Sequence, residues 1–203
     1  MHSRKRPRLD IGAPAKLAQV EQLTDLELEA ALDTIRSSPT DLGTVELLVC
    51  RTAVGERDTP LEIELDTELG VVGDNWSTRP NRRTPAGGPD PNGQVTLVNA
   101  RALAVVAGDR AAWPQAGDQL YVDFDLSARN LPPGSRVVVG DAVLELTAKP
   151  HLGCAKYARA FGRDAVRFVN SPEGKALRLR GANAKVVRSG VVRVGDEIRK
   201  SKS

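Results

Sequence analysis

The strongest constraint on this chain is a recurring pattern of short β-rich runs that alternate apolar and polar residues and are punctuated by Gly-Asp pairs. Leu61-Glu62-Ile63-Glu64-Leu65 alternates strictly, and Leu120, Val122, Phe124 and Leu126 do the same. Side chains on a strand repeat every second residue, so each such run places its apolar members on one face. Residues 136–139 and 143–147 flank Gly140-Asp141, a tight hairpin signal, and the pattern recurs at Val191-Val192-Arg193-Val194-Gly195-Asp196-Glu197-Ile198. Strands with a single apolar face must bury it, and many short ones joined by tight turns do so by closing into a barrel. The expected fold class is mainly β (α+β), a β-barrel decorated by short helices.

The helices are signalled separately. Thr24-Asp25-Leu26-Glu27 has the spacing of a capping box, and Leu28, Ala31, Leu32 and Ile35 then recur at helical intervals until Pro39 stops them. Residues 94–98 read as a strand, Asn99 as the N-cap of an alanine-rich helix over 100–107, and Gly108 as its C-terminal stop. Helical spacing returns over 155–161 and 164–169, followed by a basic run at 175–180 and a strand at 184–188. The expected organisation is a basic arm plus an amphipathic helix over 1–41 and one barrel domain over 42–203.

Hydrophobic residues make up 40% of the 203, and no apolar run is long enough to span a bilayer. The opening MHSRKRPR is not followed by the apolar segment of a secretory signal, so the expectation is a cytoplasmic protein without a membrane partner. Two cysteines and two histidines support neither a disulfide scaffold nor an ordinary structural zinc site. The net charge of +3 hides a segregation: residues 24–70 hold 3 Lys+Arg against 12 Asp+Glu, and residues 151–203 hold 13 against 4. A basic C-terminal quarter suits an anionic ligand or is simply a solvated face. Nucleic acid is disfavoured, because aromatics are only 3% and offer few stacking platforms.

Within that basic quarter lies Lys149-Pro150-His151-Leu152-Gly153-Cys154-Ala155-Lys156-Tyr157. Pro150 and Gly153 break the preceding strand, so Cys154 falls at or just before the first turn of a helix that also carries Lys156, Arg159 and Arg163. A thiolate is favoured at a helix N-terminus and beside cations, which would make Cys154 an electropositive, reactive thiol. The alternative is a buried, inert cysteine, the role expected of Cys50. His151 and Cys154 also have an H-x-x-C spacing, a weak metal signal without further ligands. Residues 77–93 form a long irregular stretch with three arginines, four prolines and three glycines, the kind of loop that is functional when it interrupts a compact domain.

The order of signals resembles the MOSC domain, named after the C-terminal domain of the molybdenum cofactor sulfurase. The resemblance is carried by Gly70-Val71-Val72-Gly73-Asp74, Gly87-Gly88-Pro89-Asp90, residues 125–131 around Asn130, Val139-Gly140-Asp141, Pro150 to Lys156, and residues 190–196. Many relatives have a histidine before the paired glycines and an aromatic after the aspartate; this chain has Ala86 and Pro91.

The resemblance implies a MOSC-type β-barrel in which Cys154 is the family's characteristic cysteine. That residue is held to carry sulfur as a persulfide or to ligate molybdenum of a pterin cofactor, in members that reduce N-hydroxylated compounds. Carried over, His151 and Lys156 would assist Cys154, and Gly88, Asp90, Asn130, Arg159, Arg180 and Asn183 would bind the anionic molybdenum cofactor. The partners implied are a sulfur donor such as a cysteine desulfurase and a redox partner. No pyridoxal phosphate is expected on this chain. The alternative from another class is a non-catalytic barrel that binds an anion or a pterin, or serves as an interaction module, with an inert cysteine.

Overall fold

The structure is a computed structural model that describes residues 25–80, 84 and 87–201. The basic arm, the capping residue Thr24 and Ala86 lie outside the described residues. In chain order the elements are α1 (Asp25–Arg36), β1 (Leu42–Leu48), β2 (Glu62–Asp66), β3 (Gly70–Val71), β4 (Val95–Asn99), α2 (Ala100–Ala107), β5 (Leu120–Asp123), β6 (Arg136–Val139), β7 (Ala142–Leu146), α3 (Ala155–Asn170), α4 (Pro172–Ala176), β8 (Ala182–Arg188), β9 (Gly190–Arg193) and β10 (Glu197–Lys200). Pro91–Gly93 and Arg110–Ala116 are 3-10 turns.

Seven strands close into a barrel in the order β1-β10-β6-β7-β8-β4-β5, with β5 returning to β1. The alternation seen in the sequence fills its interior: Leu120, Val122, Phe124 and Leu126 meet Val137, Val139, Leu144 and Leu146 there. Neighbouring strands are antiparallel except β4 and β5, which run parallel with Leu97 opposite Leu120, α2 serving as the crossover that a parallel pair requires. All five residues of β4 are buried, because its outer face is covered as well. There Val98 joins Tyr121, Leu32 and Ile35 of α1, Leu103 of α2, and Tyr157 and Phe161 of α3 in a second apolar cluster.

The expected cap on α2 is present. Asn99 Oδ1 accepts from the backbone N–H of Arg101 at 2.8 Å and of Ala102 at 3.1 Å, and Gly108 closes the helix at φ 63°. The two helical segments read at 155–161 and 164–169 are one element, α3, kinked at Gly162.

One expected hairpin is a corner. β9 and β10 do not pair with each other: β9 joins β2 and β3 in a separate three-stranded sheet, whereas β10 lies between β1 and β6. Val194 N donates to Leu61 O at 2.9 Å and Gly195 N to Val45 O at 2.8 Å. Those donors are drawn to two different neighbours, so the Gly195-Asp196 pair carries the chain from one sheet to the other. No helix among the described residues is long and apolar enough to cross a membrane.

Candidate functional site

Beyond β7, residues 147–154 carry the chain from the barrel wall to α3. Asn183 of β8 holds the start of this segment, with its Nδ2 donating to Lys149 O at 3.1 Å while its own carbonyl accepts from Thr147 N at 2.9 Å. Asn170, at the far end of α3, holds the other end. Its Oδ1 accepts from Gly153 N at 2.9 Å and its Nδ2 donates to Gly153 O at 3.0 Å. A Cβ on Gly153 would lie 3.0 Å from Val169 Cγ2, so a side chain at that turn would press on Val169.

Cys154 follows as the N-cap of α3, in extended conformation and exposed to solvent. Partial burial alone would raise its thiol. The backbone N–H groups of Tyr157 and Lys156, helped by the charges of Arg180 and Lys156, outweigh that and hold it below the ordinary cysteine value. Cys50 is the contrast: buried in the barrel cluster, its thiol is pushed up by desolvation and by the carboxylates of Asp74 and Asp58. The two thiols thus sit in contrasting environments.

Behind Cys154 lies a buried ionic cluster. Arg180 Nη1 donates to Asp118 Oδ2 at 2.6 Å, Arg180 Nη2 donates to Ala116 O at 2.9 Å, and the guanidinium lies 4.7 Å from the ring centroid of Tyr157. His151 Nε2 sits 2.7 Å from Asp118 Oδ1. Burial would raise the Asp118 carboxyl, but Arg180 and then His151 hold it at about 2. Burial lowers His151, and the pull of Asp118 only partly restores it. Gly181, at φ 115°, makes room for the imidazole, because a Cβ there would strike Leu97 O at 2.4 Å and crowd His151 Cδ2 at 3.1 Å.

A cleft of about 380 Å³ opens beside this cluster, lined by residues 147–152 on one side and by Lys175, Arg178 and residues 181–183 on the other. Its polar wall is basic. Lys149 Nζ forms a 3.0 Å ion pair with Asp90 Oδ2, and Lys175 has no ion-pair partner among the described residues. Arg178 is committed to the carbonyls of Leu131 at 2.7 Å and Leu126 at 3.2 Å.

The residues singled out in the sequence separate into groups. His151 and Asn183 line the cleft, Arg180 stands behind His151, and Cys154 lies two residues past Leu152, outside the cleft wall. Lys156 and Arg159 are exposed on α3, so both remain open to solvent. Asp90 is tied to the cleft through Lys149 and also caps the 3-10 turn by accepting from Asn92 N at 2.9 Å. Gly88 accepts from the Thr84 hydroxyl through its carbonyl, and a Cβ on it would meet nothing within 4 Å. Asn130 is apart from the cleft: its Nδ2 donates to Asp125 O at 2.7 Å and Thr40 O at 3.1 Å, and it lines a second depression with Arg136, Glu145 and Lys200. The H-x-x-C pair gains no third ligand, since no group of three His, Cys, Asp or Glu able to hold a metal occurs among the described residues.

The fold adds Asp118, Lys149, Lys175 and Arg178 to the site residues expected from the sequence. Asp118 follows Gly117 ahead of a strand, where an acid ordinarily serves a turn, and nothing local distinguishes it. Only the fold brings it to Arg180 and His151.

Comparison with known proteins agrees with this architecture. No curated protein matches the chain. Among solved structures the fold is similar to the YuaD protein from Bacillus subtilis, with a TM-score of 0.54 and 23% identity over 80% of this chain and 97% of that one. It is likewise similar to YiiM from Escherichia coli, with a TM-score of 0.51 and 16% identity over 79% of this chain and 70% of that one. The family model of the MOSC domain matches residues 89–199, which span β4 to β10 together with the cleft and Cys154. The chain therefore belongs to the MOSC domain family.

Proposed function

We propose that the protein binds a molybdenum–pterin cofactor in the basic cleft, with the Cys154 thiolate as the metal ligand, and reduces N-hydroxylated compounds. The observation that carries this reading is an exposed thiol of lowered pKa, at the head of α3, beside a cleft whose polar wall is cationic. A soft thiolate suits molybdenum, and Lys149 and Lys175 suit the anionic phosphate of a pterin. The cleft is at the small end of the range for ligand sites. Arg180 Nε is a further buried donor without a partner among the described residues, which adds positive potential behind the site.

In this reading the cofactor supplies the redox centre, and the chain supplies orientation and charge. Asp90 steadies Lys149 at the rim, Asn183 fixes the backbone from Thr147 to Lys149, and the backbone N–H groups of Tyr157 and Lys156, with the charges of Arg180 and Lys156, favour the thiolate of Cys154. Lys156 and Arg159, exposed on α3, are available to the anionic ligand or to a redox partner.

The exposure of Cys154 also favours a second reading, sulfur carriage. Its thiolate would attack the terminal sulfur of a donor persulfide on a cysteine desulfurase. The donor's S–S bond breaks, the donor leaves as a thiolate, and Cys154 holds the persulfide.

Expression in a host that makes molybdenum cofactor, followed by metal and pterin analysis, tests the first reading. Wild type should carry both, and Cys154→Ser should lose the metal; equal and negligible content in the two proteins refutes it. Intact mass after incubation with a cysteine desulfurase tests the second, which fails if no sulfur is added to the wild-type chain.

A further inference from the structure

Both carboxylate oxygens of Asp118 are engaged, Oδ2 by Arg180 Nη1 at 2.6 Å and Oδ1 by His151 Nε2 at 2.7 Å, and the side chain has no exposed surface. Paired with a guanidinium, this carboxyl is ionised at neutral pH and has no proton to donate. The hydrogen in the 2.7 Å contact therefore belongs to His151 Nε2. Burial, supported by the charges of Arg180 and Arg51 and opposed by Asp118, keeps the imidazole below its ordinary value, so that single proton is the only one on the ring at neutral pH. Nδ1 is left with a lone pair. It makes no hydrogen bond among the described residues, and the ring lines the cleft with 18% of its side-chain surface exposed.

We propose that Asp118 is a positioning residue that fixes His151 as the Nε2–H tautomer, so that Nδ1 serves as an open proton acceptor for a ligand group bearing an N–H or O–H. The proposal rests on the reading of the cleft as a ligand site. Lys149, Lys175 and Arg178 are donors only, so His151 sets a ring-nitrogen acceptor among them. A ligand carrying both an anionic group and a donor hydrogen would engage both kinds of group. Gly181 belongs to the same device, because a Cβ there would strike Leu97 O at 2.4 Å and crowd His151 Cδ2 at 3.1 Å.

The chain has two histidines, His2 and His151, so a His2→Gln variant leaves one imidazole to observe. Long-range proton–nitrogen correlation spectra of the full, nitrogen-labelled chain at neutral pH should show one set of signals, with Nε2 protonated and Nδ1 bare. In Asp118→Asn, a near-isosteric change, the amide can donate or accept, and the ring should pass into a mixture of tautomers while the backbone spectrum is retained. Diethyl pyrocarbonate, which acylates a histidine only at an unprotonated and reachable ring nitrogen, should add one group to His151 in the His2→Gln background, assigned by peptide mass. A protonated Nδ1, an unreactive His151, or an Asp118→Asn ring still locked as Nε2–H would overturn the proposal. Should Asp118→Asn fail to fold, the wild-type spectrum and acylation decide alone. These readouts need no cofactor, so loss of the molybdenum reading would leave them unchanged.

Discussion

Arg180→Met gives the sharpest test of how the buried cluster is held. The substitution removes charge-assisted hydrogen bonds of 2.6 Å to Asp118 and 2.9 Å to Ala116 O, and a cation–π contact at 4.7 Å to Tyr157. It leaves Asp118, with no exposed side-chain surface, facing only His151. Stranding one member of a buried ion pair costs about 3–5 kcal/mol. His151 offsets part of this, because Arg180 is one of the groups that depress it, and without Arg180 the ring more readily takes a proton opposite Asp118. The variant takes up that proton at a higher pH than wild type does, so its loss relative to wild type shrinks as pH falls through the variant's own His151 titration. The loss should then be about 3 kcal/mol near pH 8 and smaller near pH 6, or roughly 6–12 °C in Tm at the higher pH for a domain of this size. Urea unfolding of wild type, Arg180→Met, Asp118→Asn and the double variant at both pH values measures it. The double variant should lose less than the sum of the single ones, since it strands no charge. A cost below about 1 kcal/mol for Arg180→Met, a pH-independent cost, or strict additivity would refute the reasoning.

Three further outcomes follow from other parts of the fold. Alkylation with iodoacetamide, followed by peptide mass, should modify Cys154 with a midpoint below that of an ordinary thiol, whereas buried Cys50 reacts only on unfolding; equal reactivity of the two in the native protein would contradict the site. Asn99→Ala removes the α2 cap together with bonds from Nδ2 to Ser38 Oγ and to Phe124 O, both at 2.8 Å, and should cost about 2–4 kcal/mol by urea unfolding. Gly43→Ala would set a Cβ 2.1 Å from Asp123 O at the β1–β5 seam and should lower the yield of folded protein, whereas Gly88→Ala, with open space around it, should stay within about 0.5 kcal/mol of wild type.

The barrel was legible because its evidence is local. A period of two in Leu120, Val122, Phe124 and Leu126, and a two-residue turn at Gly140-Asp141, are statements about neighbours in sequence, and the fold obeys them. The cap at Asn99 and the place of Cys154 at the head of α3 were legible for the same reason. What escaped depends on distant pairings. The same Gly-Asp dipeptide makes a corner at 195–196, since Leu61 and Val45 claim the adjacent amides. The parallel register of β4 and β5 cannot be read from either strand alone. Asp118 acquires meaning only when Arg180 and His151 arrive beside it. Arg178 and Arg180 look equivalent in a basic run, yet one serves the carbonyls of Leu126 and Leu131 and the other a buried carboxylate.

The ring of strands is sealed by β10, whose Ile198 and Arg199 lie opposite Gly43 and Leu42 of β1 on one side and Val139 and Val138 of β6 on the other. On the ribosome, β1 must wait unpaired along that edge until nearly the whole domain has emerged, and long-range closure of this kind is slow and leaves sticky edges in the interval. The same delay governs chemistry. Until Arg180 has been synthesised and β8 has docked, Cys154 lacks one of the charges that lower its pKa and the Asn183 contact that steadies its approach segment. The thiol therefore gains its full set of pKa-lowering partners only with the finished barrel, after the strand edges have been covered.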